Sequence, residues 1–129
     1  MGVEQTVIFP GKPLPPWTAA RDLLATRGFP LQIRMIDGQP AFPDEEPPIA
    51  WAELRFGTPG GMVTVRRDGE RLIFVTWGNA DTAQRHAWNA LTWAFAAAGQ
   101  GEVHTDVGKM SVGEFQARAE LPPTIQALF

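Results

Sequence analysis

The sequence predicts an α+β fold, in which an antiparallel sheet of about five strands packs one face against a long helix, with short helices near both termini. Three observations lead to this prediction. Several short segments alternate apolar and polar residues, as strands with one buried face do. The dipeptide Asp68-Gly69 separates two of these segments, which indicates a tight hairpin. One stretch after Gly78 instead repeats its apolar residues with helical spacing.

Length and composition limit the class of protein. The chain has 129 residues, which is typical of one domain, so we expect residues 1–129 to form a single unit. Its 14 acidic residues outnumber its 11 basic ones, which disfavours nucleic-acid binding. The absence of cysteine removes disulfides and cysteine-ligated metals, and fits a reducing compartment. No segment reaches the ~20 apolar residues of a membrane helix, so we expect a cytoplasmic protein without a membrane partner.

The N-terminal third combines prolines, a helix and a strand. Residues 1–16 are predicted to form an extended, proline-rich arm, because proline lacks a backbone donor and fixes φ. Residues 18–27 then repeat apolar side chains with helical spacing, with Thr18 as the expected N-cap. Residues 31–36 alternate with period two and are predicted to form a strand that ends at the turn pair Asp37-Gly38.

The middle of the chain predicts a loop followed by three strands. Prolines and adjacent carboxylates make residues 43–48 a loop. Residues 49–56 are predicted to form a strand that places Leu54 and Phe56 on the buried face and Ile49 and Trp51 on the other. Residues 62–67 and 70–77 are predicted to form the hairpin around Asp68-Gly69.

The hairpin prediction fixes a register and two faces. If Asp68 and Gly69 are the central turn residues, position 65 pairs with 72 and position 63 with 74. The predicted buried residues are Val63, Val65, Leu72 and Phe74. The opposite face then carries Met62, Thr64, Arg66, Arg71, Ile73, Val75 and Trp77. This register places Arg66 opposite Arg71, which requires a nearby carboxylate from Asp44, Glu45, Glu46 or a bound partner.

The C-terminal half predicts the long helix and a final strand. Asp81 followed by Gln84 matches a capping box, and the helix is expected to run to Ala98. Its sheet-facing residues are predicted to be Ala83, Ala87, Leu91, Ala94, Phe95 and Ala98. Residues 102–107 are predicted to form the last strand, and Ser111 with Glu114 a second capping box that opens a helix through Ala119.

The apolar residues on the predicted outer face of the sheet favour a non-catalytic protein-interaction or binding module. Small bacterial chaperones, adaptors and inhibitors are modules of this kind with a similar size and charge. A second copy, a protein partner or the C-terminal segment ending in Ile125, Leu128 and Phe129 could cover that face. On the long helix, His86, Asn89 and Trp93 form a polar-aromatic stripe turned away from the predicted sheet-facing side, which suits contact with a partner or ligand. The alternative is a helix that is buried on both sides. The predicted binding residues are Trp51, Arg66, Arg71, Ile73, Trp77, His86, Asn89 and Trp93.

The alternative is a small hydrolase or ligand-binding enzyme subunit that uses His86, His104 and Asp106. His104 and Asp106 have the His-x-Asp spacing of the first two ligands in a two-histidine, one-carboxylate iron site. The second histidine of such a site lies downstream, whereas His86, the only other histidine, lies upstream. We therefore expect neither a metal nor a cofactor. Ser111 is the only serine and lies outside any Gly-x-Ser-x-Gly motif, so no complete catalytic signature is present.

Overall fold

The computed structural model describes residues 2–126 and confirms the α+β class with an antiparallel sheet. The sheet has eight strands rather than about five. The strands are β1 (Gly2–Ile8), β2 (Gln32–Ile36), β3 (Gln39–Pro40), β4 (Glu53–Thr58), β5 (Gly61–Asp68), β6 (Arg71–Trp77), β7 (Glu102–Thr105) and β8 (Gly108–Met110). The helices are α1 (Trp17–Ala25), α2 (Thr82–Gly99), α3 (Val112–Arg118) and α4 (Pro123–Gln126).

The N-terminal strand β1 lies inside the sheet, whose order is β3-β2-β4-β5-β6-β1-β7-β8. Residues 2–8 therefore pair with β6 and β7 instead of forming part of an arm. Their alternation is hidden in the sequence because one of the two buried positions is polar: Gln5 is buried beside Val7. The proline-rich residues that follow form the connection to α1.

The strands β3 and β8 were also not predicted, because each is the short second strand of a tight hairpin. Asp37 and Gly38, between β2 and β3, both have positive φ (48° and 81°), as in a type I′ hairpin turn. Between β7 and β8, Gly108 has a φ of 120°. Strands of two and three residues are too short to show a period of two in the sequence.

The strand predicted over residues 49–56 begins only at Glu53, so the first half of that prediction is wrong. Leu54 and Phe56 are fully buried, as predicted. Trp51 precedes the strand and packs against the guanidinium of Arg67, whose carbon lies 4.8 Å from the ring centroid. Arg67 pairs with the buried Leu72 in the register, which places Trp51 at the helix side of the sheet.

The central hairpin has the predicted faces and a different register. Its four predicted core residues, Val63, Val65, Leu72 and Phe74, are all buried. However, Val65 pairs with Phe74 and Asp68 with Arg71, so every pair is displaced by two positions. Gly69 has a φ of 62° and its neighbours do not have positive φ, which makes Gly69 and Glu70 the central residues of a type II′ turn. A displacement of two preserves the faces but separates Arg66 from Arg71, contrary to the prediction.

Helix α2 is the centre of the structure. Asp81 caps its start by accepting a 2.8 Å hydrogen bond from Gln84 N, while the Gln84 side chain donates to Met62 O instead of completing the capping box. Every residue from 87 to 96 except Trp88 is buried, whereas the predicted sheet-facing residues Ala83 and Ala98 are exposed. The helix is buried all round because the sheet covers one side and α1 and α3 pack on the other.

The short helices differ in how they begin. Pro16, and not the predicted Thr18, is the N-cap residue of α1, and it forms no side-chain cap. At α3 the predicted capping box is present, since Glu114 N donates to Ser111 Oγ and Ser111 N to Glu114 Oε1, both at 3.1 Å. None of the helices in residues 2–126 is long and apolar enough to cross a membrane.

All the helices contribute to one core on the same side of the sheet. Trp17 of α1, Phe115 of α3 and Ile125 of α4 belong to the buried cluster that includes α2 and the inner sheet residues. The described part of the C-terminal segment therefore packs in the helical layer, and Ile125 does not cover the outer face as one of the predicted alternatives required. Leu128 and Phe129 lie outside the described residues.

Candidate functional site

The outer face of the sheet is the surface on which half of the predicted binding residues lie. We call it the open face, because the helices of residues 2–126 pack on the opposite side. It is formed by the alternate side chains that point away from the core: Glu4, Thr6, Ile8, Gln32, Met35, Pro40, Glu53, Arg55, Met62, Thr64, Arg66, Asp68, Arg71, Ile73, Val75, Trp77, Glu102, His104 and Lys109. Four predicted residues, Arg66, Arg71, Ile73 and Trp77, belong to it.

Arg66 lies at the centre of the open face between two carboxylates. Its Nη1 is 3.7 Å from Glu4 Oε2 on β1, and its Nε is 3.9 Å from Glu53 Oε2 on β4. Glu53 also lies 3.3 Å from Arg55 Nε. The acids that balance Arg66 therefore come from the two flanking parts of the sheet, and not from the predicted residues 44–46. Such exposed pairs contribute about 0–1 kcal/mol each and serve mainly to balance charge.

Two large apolar side chains project from one end of the open face. Trp77 is 59% exposed and Met62 is 46% exposed. Trp77 pairs with Gly2 across β6 and β1, and a Cβ on Gly2 would lie 3.9 Å from Trp77 Cζ3. The indole ring therefore lies against the backbone of β1. Next to it, Val75 is only 7% exposed yet does not belong to the core cluster, so its burial comes from neighbours on the open face itself.

The other end of the open face is charged. Arg71 Nη2 lies 2.7 Å from Asp68 Oδ2. Glu102 lies between His104 Nε2 at 3.6 Å and Lys109 Nζ at 3.9 Å. Taken together, these ion pairs join four basic side chains (Arg55, Arg66, Arg71, Lys109) to four acidic ones (Glu4, Glu53, Asp68, Glu102). Positive and negative groups thus alternate over the face.

The remaining predicted binding residues lie elsewhere. Trp51 is half-buried at the helix side, against Arg67. On α2, Asn89 is 8% exposed and Trp93 is 4% exposed, and the guanidinium carbon of Arg27 lies 5.6 Å from the Trp93 ring centroid. Two of the three residues of the predicted polar-aromatic stripe are therefore internal contacts of a helix buried on both sides, and the third, His86, is half-buried.

The structure does not bring the two histidines together. His104 is on the open face, where it pairs with Thr6. His86 lies on α2, which packs on the other side of the sheet. Asp106 is exposed in the turn between β7 and β8. Within residues 2–126, no group of three or more His, Cys, Asp or Glu side chains is placed to hold a metal ion.

Sequence reasoning missed the contribution of β1 to this face. Glu4, Thr6 and Ile8 occupy alternate positions beside Val75, Ile73 and Arg71. Residues 4–8 show no polar-apolar alternation, because Gln5 is polar and Ile8 is apolar, and the available signal was the β-branched run Thr6-Val7-Ile8.

Comparisons of the chain with protein-family models, with curated proteins and with solved structures find no match. The fold class and the open face are therefore the observations from which a function can be proposed.

Proposed function

We propose that this protein is a non-catalytic binding module that associates face to face with a second copy of itself through the open face. The observation that carries the proposal is the one-sided arrangement of the helices, which leaves Trp77 and Met62 exposed on the other side of an eight-stranded sheet. Antiparallel sheets with a solvated face usually carry polar residues there, and exposed apolar groups rimmed by polar ones mark interaction surfaces.

The size of the open face suits a stable dimer. The strands have two to eight residues and an average length of about 18 Å, so eight strands spaced about 4.8 Å apart give a face of roughly 700 Å². Specific interfaces bury about 800 Å² on each partner. The whole face would therefore have to take part, including both its apolar and its charged end.

The charge pattern favours a second copy over a partner of strong charge. In a two-fold dimer the same surface meets itself, so the surface must be complementary to itself. The charge pattern of the open face supports such self-complementarity, because acidic and basic side chains alternate and the ion pairs balance. Trp77 supplies the kind of large aromatic group that dominates binding energy at interfaces.

The sheet edges disfavour the other common mode, in which strands add to an edge. β3 has two residues, one of which is Pro40, and β8 has three, with Lys109 in the middle. Short strands, proline and lysine all protect a sheet edge from pairing. Association through the face is then the mode that the fold leaves available.

Two further features support this proposal. The separation of His86 from His104 by the sheet favours a binding module over a hydrolase that would use both. The absence of cysteine fits a cytoplasmic setting, in which disulfides are rare, and we propose this location as well.

Light scattering during size-exclusion chromatography tests the proposal. The wild type should show the mass of two 14.1 kDa chains at micromolar concentration, and Trp77→Glu should show the mass of one. Phe42→Glu is the matched control, because Phe42 is an 80% exposed aromatic residue outside the open face. A wild type with the mass of one chain, or an equal effect of the two substitutions, would contradict the proposal.

A further inference from the structure

A groove of about 350 Å³ lies on the helix side of the sheet and shares only Glu4 with the open face. It is bounded by β1, the β7–β8 hairpin, α2 and α3, and its apolar lining includes Trp88, Met110 and Phe115. At its rim Val107 is 76% exposed and Val3 is 39% exposed. A volume of this size with apolar walls is typical of small-molecule sites, which also place a few polar groups to orient the ligand.

The polar groups of this groove are two buried carboxamides. Gln5 and Asn89 both line the groove and are only 5% and 8% exposed. Gln5 Nε2 donates to Asn89 Oδ1 at 2.9 Å and to Thr92 Oγ1 at 2.8 Å. Buried carboxamides are costly unless their hydrogen bonds are satisfied, so their remaining capacity matters.

Two backbone carbonyls fix the orientation of this network, because a carbonyl oxygen can only accept. Thr92 Oγ1 donates its single proton to Trp88 O at 2.9 Å and must therefore accept from Gln5 Nε2. Asn89 Nδ2 donates to Glu120 O at 3.0 Å, which leaves its Oδ1 facing Gln5.

The network leaves one acceptor and one donor unused. Both protons of Gln5 Nε2 are engaged, whereas Gln5 Oε1 accepts no hydrogen bond from residues 2–126. Asn89 Nδ2 uses one of its two protons, on Glu120 O. Since the two carboxamides are bonded to each other, the free acceptor and the free donor belong to one hydrogen-bonded pair that lines the groove. An amide group presents the complementary pair, an N–H and a C=O, whereas a carboxylate or an ester lacks the N–H.

We propose that the groove binds a small, neutral ligand that has a primary amide and an apolar body. The amide N–H donates to Gln5 Oε1 and its carbonyl accepts from Asn89 Nδ2, while the apolar body packs along Trp88 and Phe115. The charged lining residues are Glu4 on β1, Asp106 on the β7–β8 turn and Arg118 on α3. Glu4 lies 3.7 Å from Arg66, which balances its charge, and Asp106 and Arg118 have opposite charges. The groove therefore gives no preference for an ion of either sign, which is why the ligand is neutral.

Three probes of nearly equal shape test the chemical class: 3-phenylpropanamide, its methyl ester analogue and 3-phenylpropanoate. Each is titrated into the full chain and followed by two-dimensional NMR of the backbone and side-chain amides. The amide should bind at least tenfold more tightly than either analogue and should shift the side-chain amide signals of Gln5 and Asn89. Equal affinities, a preference for the carboxylate, or no binding of the amide would each overturn the proposal.

A rim substitution locates the site without disturbing the buried network. Val107→Arg should weaken binding of 3-phenylpropanamide at least tenfold, because it places a long side chain at the mouth of the groove. Ile49→Arg is the matched control, since Ile49 is a 94% exposed aliphatic residue outside the groove, and it should leave the affinity unchanged. Loss of binding in both variants, or in neither, would place the ligand elsewhere and overturn the assignment.

Discussion

Asp37 Oδ1 lies 2.8 Å from the backbone nitrogens of both Glu53 and Ala52. One carboxylate oxygen thus joins the β2–β3 turn to the start of β4 and satisfies two backbone donors there. The hydrogen bonds from Glu53 N and Ala52 N favour the ionised carboxylate, and they hold the pKa of Asp37 below its ordinary value of 3.8.

The first prediction is a pH-dependent effect of Asp37→Asn. The pKa of Asp37 is lower in the folded state than in the unfolded state, so the carboxylate contributes stability above its ordinary value of 3.8. That contribution is lost as the pH falls through the lower folded value. In urea unfolding, the variant should be less stable than the wild type at neutral pH, and the difference should shrink in acid. A difference that does not change with pH would show that the charge plays no part.

Helix α3 gives two predictions of opposite sign, both read by urea unfolding. Ser111→Ala removes the capping hydrogen bond to Glu114 N and should cost about 1 kcal/mol. Gly113→Ala should stabilise by about 0.5 kcal/mol, because Gly113 lacks positive φ and an added Cβ would meet nothing within 4 Å. If both substitutions destabilise the protein, the helix does not begin at this capping box.

The register of the central hairpin predicts which turn residue is sensitive. Gly69→Ala should cost about 1 kcal/mol, because Gly69 has a φ of 62°. Asp68→Thr should cost less than about 0.5 kcal/mol, since Asp68 belongs to the strand and loses only an exposed ion pair with Arg71. A larger cost at Asp68 than at Gly69, measured by thermal unfolding, would mean that the turn is centred on Asp68-Gly69 after all.

Local sequence patterns predicted which strand residues face the core better than they predicted which residues pair across the hairpin. Val65 and Phe74 were correctly assigned to the core because the alternation of a strand is independent of its exact partner. The register was displaced because Asp-Gly suits a type I′ turn, whereas Gly69 takes the first central position of a type II′ turn. No local pattern decides between these two turns.

The candidate site was predictable only in part, because distant residues determine what covers each surface. Asn89 is polar and was expected to be exposed, but it is buried by hydrogen bonds with Gln5 and Glu120, which lie 84 and 31 positions away in the chain. The open face also includes Glu4 of β1, a strand that was not predicted because its buried residue Gln5 is polar. A helical wheel or a strand alternation gives the relative orientation of side chains, and the tertiary fold decides which sides meet.

The most direct test of face-to-face association uses the absence of cysteine, since Thr64→Cys introduces the only thiol. Thr64 is half-buried on the open face, between Arg55 and Val75 in the register. A nitroxide label there is compared, by pulsed dipolar electron paramagnetic resonance, with a label at Ala25→Cys, an exposed position at the end of helix α1. Sheets packed face to face lie about 10 Å apart, so the two Thr64 labels should show a short intermolecular distance and the two Ala25 labels a much longer one. No intermolecular coupling at Thr64, or a shorter distance at Ala25, would contradict association through the open face.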